Sequence, residues 1–161
     1  MIYEGGTAKC LLTEEGYVSL DDREYHYYLK DHQGNNRVLV NKNGGVEEIN
    51  HYYPFGGVFA SEENVQPYKY NGKELDTKKG LNWYDYGARE YDAALGVFTT
   101  LDPSSEKYYS TSPYAYCGGN PINRIDPTGA DWYRDEYGNY HWVKAGTNVT
   151  EGWTPLSPIH L

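Results

Sequence analysis

Between Leu81 and Gly129 the chain reads L-N-W-Y-D-Y-G-A-R-E-Y-D-A-A-L-G-V-F-T-T-L-D-P and later S-P-Y-A-Y-C-G-G-N-P-I-N-R-I-D-P-T-G. No other stretch constrains the fold as much. Asp-Pro dipeptides begin at Asp102 and Asp126, and the segment between them is dense in Tyr, Gly and Asn. Proline pre-sets φ, aspartate bonds its own backbone, and a following glycine accepts the positive φ of a tight turn. Ahead of the first turn, Trp83-Tyr84-Asp85-Tyr86 and Glu90-Tyr91-Asp92 carry tyrosine at alternate positions or nearly so. That is the period of a strand turning one aromatic face to a core.

The same design recurs upstream. Met1 to Leu20 predicts a short strand, a Gly5-Gly6 turn, a second strand, and a turn at Glu15-Gly16 before Tyr17-Val18. Tyr25 to Val40 reads as strand, polar turn and strand in hairpin order, with Asn43-Gly44-Gly45 closing the next turn. Ile49 to Gly57 gives another strand with a Pro/Gly stop, and Tyr68 to Glu74 one more. Ser61 to Gln66 reads as a polar loop, and Ser104 to Tyr109, after Pro103, as one helical turn. Asp131 to Val143 predicts a hairpin around Tyr137-Gly138-Asn139, and Ala145 to Leu161 lacks periodicity. The fold class expected is all-β, an antiparallel hairpin array with at most one or two short helical turns. Such an array exposes strand edges that neighbouring units would pair.

Composition narrows the function. Tyrosine numbers 19 against 3 Phe and 4 Trp, which suits strands half buried and half wet. The net charge of -9, with no cluster of basic residues, disfavours a nucleic-acid partner. No apolar run is long enough for a membrane-spanning helix, and the start M-I-Y-E-G-G has no signal-peptide pattern. Two cysteines and five scattered histidines show no metal-ligand spacing, so neither metal nor cofactor is expected. Cys10 and Cys117 read either as unlinked buried thiols or, in a secreted protein, as a disulfide.

The run Y-D-Y-G-A-R-E-Y-D-A-A-L-G-V-F-T-T-L-D-P followed by N-P-I-N-R-I-D-P-T-G resembles the Rhs repeat-associated core of bacterial Rhs and YD-repeat proteins. The resemblance implies YD-repeat-like hairpins over residues 1–78, the core over 79–130, and a C-terminal extension over 131–161. It implies a fragment of an Rhs-type β-shell, whose core seals the shell and presents a C-terminal toxin. The partners implied are the remainder of that shell and a toxin payload, with secretion machinery or cell-surface partners beyond them. The setting implied is secreted or cell-surface. A chain starting at a Met inside the repeat pattern is expected to be the C-terminal piece of a longer architecture.

The resemblance also brings a second reading, an aspartyl autoprotease cutting at Ala130–Asp131. Asp102 and Asp126 are its candidate carboxylates, because a dyad sharing one proton supplies both a base and an acid. Arg124, two residues before Asp126, is the candidate to hold one of them ionised. The alternative for each aspartate is a turn residue whose carboxylate caps backbone N–H groups. Three positions depart from the family's usual residues: Val97 stands for Arg, Glu90 for Tyr, and Ala130 for a large apolar residue. Arg89 is expected to pair with a nearby acid or stack on tyrosine, and His32 and His51 to be surface or core histidines. A third reading takes the tyrosine ladder as a carbohydrate-binding face, against packing of those rings as the alternative.

Overall fold

The computed structural model describes residues 1–62, 65–103, 105–107, 109, 111–129, 131–134, 140–143 and 154–155. The chain divides into two compact units, residues 1–52 with 58–72, and residues 53–57 with 73–161.

The first unit is one antiparallel meander. Its strands are β1 (Ile2–Glu4), β2 (Thr7–Thr13), β3 (Gly16–Ser19), β4 (Tyr25–Lys30), β5 (Asn36–Asn41), β6 (Val46–Tyr52) and β7 (Val58–Glu62), each bonded to the next. Period-two side chains set the faces. His26 and Tyr28 of β4 are buried while Tyr25, Tyr27 and Leu29 are exposed. Tyr17, Tyr28 and Leu39 form the core cluster, with Cys10 and Tyr68 packed against it. Gly16 opens β3, and the reason is space: a Cβ there would lie 1.9 Å from the His26 carbonyl oxygen of β4.

Two side chains build the hairpin turns. Asp31 Oδ1 accepts the backbone N–H groups of Gln33 and Asn35 after β4. Asn41 Oδ1 accepts those of Asn43 and Gly45 after β5, at the predicted Asn-Gly-Gly turn. Two expectations fail here. The residues from Tyr68 to Glu74 are not one strand, because Tyr70–Gly72 is a 3-10 turn with Asn71 left-handed at φ 49°. Long-range bonds hold it so: the Asn71 carboxamide donates to the Gln33 carbonyl at 2.9 Å, and its backbone N–H to Asn35 Oδ1 at 2.8 Å. Ser61 and Glu62 belong to β7, paired with Asn50 and Ile49, and not to a loop.

The second unit holds two small antiparallel sheets. One has the order β11-β10-β9-β8, with β8 (Glu74–Asp76), β9 (Trp83–Asp85), β10 (Glu90–Asp92) and β11 (Val97–Phe98). The other sets β12 (Asp131–Arg134) between β13 (Tyr140–Val143) and β14 (Thr154–Pro155), with Trp132 opposite Trp142. The predicted hairpin is therefore present, while its turn at Tyr137-Gly138-Asn139 lies outside the described residues. Most of the tail expected to be aperiodic, beyond Ala145, lies outside them as well.

The alternating tyrosines of β9 and β10 do face inward. Tyr84, Tyr86, Tyr91, Phe98 and Tyr116 are all buried, with the Tyr91 and Tyr116 rings stacked at 4.0 Å. Each buried hydroxyl finds a partner. Tyr84 donates to the Gly56 carbonyl at 2.9 Å, Tyr91 to the Phe55 carbonyl at 2.8 Å, and the Tyr86 and Tyr116 hydroxyls bond each other at 2.9 Å. Packing thus places the ladder rings of this unit inside.

The described residues are all-β with four 3-10 turns: Tyr70–Gly72, Lys78–Gly80, Ser105–Lys107 and Cys117–Gly119. That is more than the one or two expected, because left-handed Asn71 and Gly118 curl short loops that no helical periodicity announces. The turn after Pro103 is the one the sequence signals. Cys10 and Cys117 are both free thiols. Among the described residues no helix is long and apolar enough to cross a membrane.

Candidate functional site

The two Asp-Pro turns and the β9–β10 hairpin build one buried charge cluster. Arg89 ends the hairpin loop, where the Tyr86 N–H donates to its carbonyl at 3.1 Å and the Gly87 N–H to Asp85 Oδ1 at 2.6 Å. Its guanidinium carbon sits 3.7 Å from the centre of the Phe98 ring, so a cation and an aromatic face share the apolar interior. Nε donates to the Gly129 carbonyl at 2.7 Å and Nη1 to the Pro113 carbonyl at 3.2 Å. Nη2 lies 3.2 Å from Asp102 Oδ2 and 3.8 Å from Asp126 Oδ2. Asp102 and Asp126, 24 residues apart in sequence by their numbering, therefore meet at a single nitrogen.

The two carboxylates are held differently. The backbone N–H of Asp102 donates to the Pro113 carbonyl at 2.9 Å, and its carbonyl accepts the Ser105 N–H at 3.0 Å, which closes the first Asp-Pro turn. Asp126 Oδ1 caps the second turn, accepting the N–H groups of Thr128 at 3.1 Å and Gly129 at 2.5 Å. The capping role and the approach to Arg89 coexist on one side chain, on its two different oxygens. Burial pushes the Asp126 carboxyl up to about 7, against the opposing pull of the Gly129 and Thr128 N–H groups and of Arg89 and Lys73. Of the two acids that this guanidinium faces, Asp126 is thus the one that burial holds toward its protonated form.

Lys73 completes the surroundings. Its ammonium bonds the Pro127 carbonyl and lies 5.1 Å from the centre of the Tyr86 ring, and burial draws its pKa down. Gly129 is forced to be glycine: φ is +74°, and a Cβ would lie 3.3 Å from the Arg89 backbone nitrogen. Ala88 N–H donates to the Thr128 carbonyl at 3.1 Å. The D-P-T-G turn is thereby pinned against the hairpin loop along its length.

Arg124 meets the Cys117 turn. Its Nη1 donates to the Cys117 carbonyl at 3.4 Å, and its own carbonyl accepts the Cys117 thiol at 3.4 Å. The guanidinium that faces both carboxylates is that of Arg89, which pairs with acids as expected and stacks on Phe98 where tyrosine was expected. Lys73 carries no motif of its own and is visible only once the Pro127 carbonyl is placed beside it. Of the expected cut, Ala130 lies outside the described residues, and Asp131 is the first residue of β12. Among the described residues no group of acidic, histidine or cysteine side chains has the geometry of a metal site.

No family model matches the chain. It is 36% identical over 112 residues to Salivary gland surface protein 1 of Aedes aegypti, a stretch that is 67% of this chain and 3% of that protein. The fold is similar to part of the crystal structures of TcdB2-TccC3-Cdc42 (TM-score 0.60, 23% identity) and TcdB2-TccC3 (0.60, 24%). It is similar also to TcdB2-TccC3 without its hypervariable C-terminal region (0.59, 23%). In each case the match covers 71% of this chain and 6% of the other. The chain spans a small fraction of the proteins it matches, and at this identity the likeness shows an all-β architecture held in common.

Proposed function

We propose that this chain is a wall module of a bacterial Rhs-type β-shell, in which the segment 79–130 seals the enclosure around a C-terminal toxin. The observation that supports the reading is the likeness of 71% of the chain to 6% of much longer chains. The meander fits that role. β1 and β7 end the sheet, each with one described strand partner, and a strand edge with open N–H and C=O groups accepts another strand. The remainder of the shell is the partner for those edges. Secretion machinery or cell-surface components belong to the same reading, with a secreted or surface setting. The test is a structure of the longest natural polypeptide carrying this sequence. The outer edge of β1 is expected to pair with a further strand of that polypeptide, and an edge left in solvent there would overturn the reading.

A second reading, autoproteolysis at Ala130–Asp131, draws on the sharing of Arg89 by Asp102 and Asp126. In this reading Asp126, its carboxyl raised by burial, is the acid toward the carbonyl of the scissile bond, and Asp102, beside Arg89, is the base that takes a proton from the attacking water. The tetrahedral carbon then breaks its C–N bond, the Asp131 nitrogen takes that proton and leaves as the amine, and residue 130 ends in a carboxyl. Arg89, through the Gly129 carbonyl, fixes the chain one residue before the bond. Intact-mass measurement after incubation near neutral pH is expected to show a fragment ending at residue 130, absent from Asp102→Asn and Asp126→Asn. A single full-length species, in the natural polypeptide as well as in this chain, would leave the wall and remove the cutter.

A further inference from the structure

The first unit buries an ion pair of its own. Lys69 is 2% exposed and Glu48, on β6, is 1% exposed. The Lys69 ammonium bonds Glu48 Oε1. Asn50, also on β6 and 1% exposed, donates its carboxamide Nδ2 to that same oxygen at 2.5 Å. The Gln66 carboxamide reaches Oε1 at 3.2 Å, and the Val65 N–H reaches Oε2 at 2.8 Å. A primary amine and two carboxamides, with that of Asn50 the nearer, therefore converge on one carboxylate oxygen in a sheet interior closed to water. Buried ion pairs seldom stabilise a fold more than apolar side chains of the same volume. This one, however, places a nucleophile, an electrophile and a proton carrier together, the arrangement that lowers the barrier of an intramolecular reaction.

We propose that Lys69 and Asn50 join in an intramolecular isopeptide bond, with Glu48 carrying the protons. The Lys69 ammonium gives one proton to Glu48, and the free amine attacks Cγ of Asn50. The Nζ–Cγ bond forms and the Cγ–Nδ2 bond breaks. Nδ2 takes the proton held by Glu48 together with the one the attacking amine sheds, leaving as ammonium, and Glu48 returns to a carboxylate. No oxidant or cofactor enters the balance. Rotating the Asn50 carboxamide turns its oxygen toward the protonated Glu48, which polarises Cγ for attack. Burial weakens the hold of Lys69 on its proton. Glu48 begins as the base, since bonds from Lys69 and Asn50 outweigh burial and keep its pKa below the usual value. The product ties β6 to the 65–72 segment beneath the sheet.

The purified full chain is expected to weigh less than its sequence by one ammonia. Trypsin should fail to cut after Lys69, so that residues 43–73, which contain no other lysine or arginine before Lys73, appear as one looped peptide carrying the deficit. Lys69→Arg and Asn50→Ala should restore the sequence mass, and Glu48→Gln should leave the bond unformed. A succinimide at Asn43-Gly44 also loses ammonia, but that deficit would persist in Lys69→Arg. The proposal is overturned by a folded wild-type chain of full sequence mass, by a deficit that survives Lys69→Arg, or by loss of water, which would put the link on Glu48 itself.

Discussion

Arg89 Nη2 lies 3.2 Å from Asp102 Oδ2, and the pair is almost wholly withdrawn from solvent. Thirteen positions separate the two by number, and the hairpin of β9 and β10 with the turn after β11 closes that distance. The same nitrogen faces Asp126 from the second Asp-Pro turn. The charge of one side chain therefore connects the hairpin loop, both turns and the chain leading to residue 130.

Removing that charge should be costly. Arg89→Met keeps an apolar stem over Phe98 but leaves Asp102 and Asp126 buried beside no guanidinium, a loss of about 3–5 kcal/mol. All four tryptophans, Trp83, Trp132, Trp142 and Trp153, belong to the second unit, so fluorescence-detected urea unfolding reads the affected unit alone. Arg124→Met, which removes a bond to the Cys117 carbonyl, should cost less, on the order of 1 kcal/mol. Equal losses from the two variants would contradict the assignment of Arg89 as the shared cation.

The pH dependence of stability has a definite sign at Asp126. The folded chain holds the proton up to about pH 7, whereas the unfolded chain releases it near 3.8. Between those values the folded state binds more protons, so raising the pH favours unfolding. Wild type should lose on the order of 4 kcal/mol relative to Asp126→Asn between pH 4 and 7, at about 1.36 kcal/mol per unit. Below the unfolded value the difference should be flat. The comparison with the Asn variant cancels Glu48, whose depressed pKa acts in the opposite sense at lower pH. Urea unfolding of both proteins at three pH values measures it, and a wild type that gains on the variant as pH rises would refute the buried neutral carboxyl.

These two groups also mark how far the sequence can be read. Tyr84, Tyr86 and Tyr91 announce buried faces because a strand repeats every two residues, and side-chain burial follows that period directly. Asp102 and Asp126 are legible as turn acids because the Asp-Pro pairing is local. Their cation is not, since Arg124 is near in sequence while Arg89 is near only once β9 and β10 pair. Tyr68 and Tyr70 alternate like a strand, yet Asn71 is held left-handed by Gln33 and Asn35, more than thirty residues earlier. The Glu48–Lys69 pair escapes for the same reason. Its members sit on β6 and on a segment beyond β7, and no local pattern makes a buried lysine differ from a solvated one.

Gly16 offers a test of the first unit by crowding. A Cβ there meets the His26 carbonyl at 1.9 Å, and backbone on both strands must move to admit it. Gly16→Ala should cost at least about 1–3 kcal/mol, the usual penalty for overpacking. Gly34→Ala, where a Cβ would meet nothing within 4 Å, serves as a control limited to the strain of φ +77°. Chemical denaturation followed by far-UV circular dichroism distinguishes them. If Gly16→Ala were the milder of the two, the close approach of β3 and β4 would be wrong.

Tyr91 separates packing from hydrogen bonding in the second unit. Its ring is fully buried against Tyr86, Phe98 and Tyr116, and its hydroxyl donates to the Phe55 carbonyl at 2.8 Å. Tyr91→Phe keeps the ring and leaves that carbonyl unpaired, costing about 0.5–1.5 kcal/mol. Tyr91→Ala removes the ring and opens a cavity in an aromatic cluster that has no other means of filling it, costing about 3–5 kcal/mol. Tryptophan fluorescence during urea unfolding should rank wild type, Phe and Ala in that order. A Phe variant as unstable as Ala would mean that the hydroxyl, tying residues 53–57 to β10, holds the unit together more than the stacked rings do.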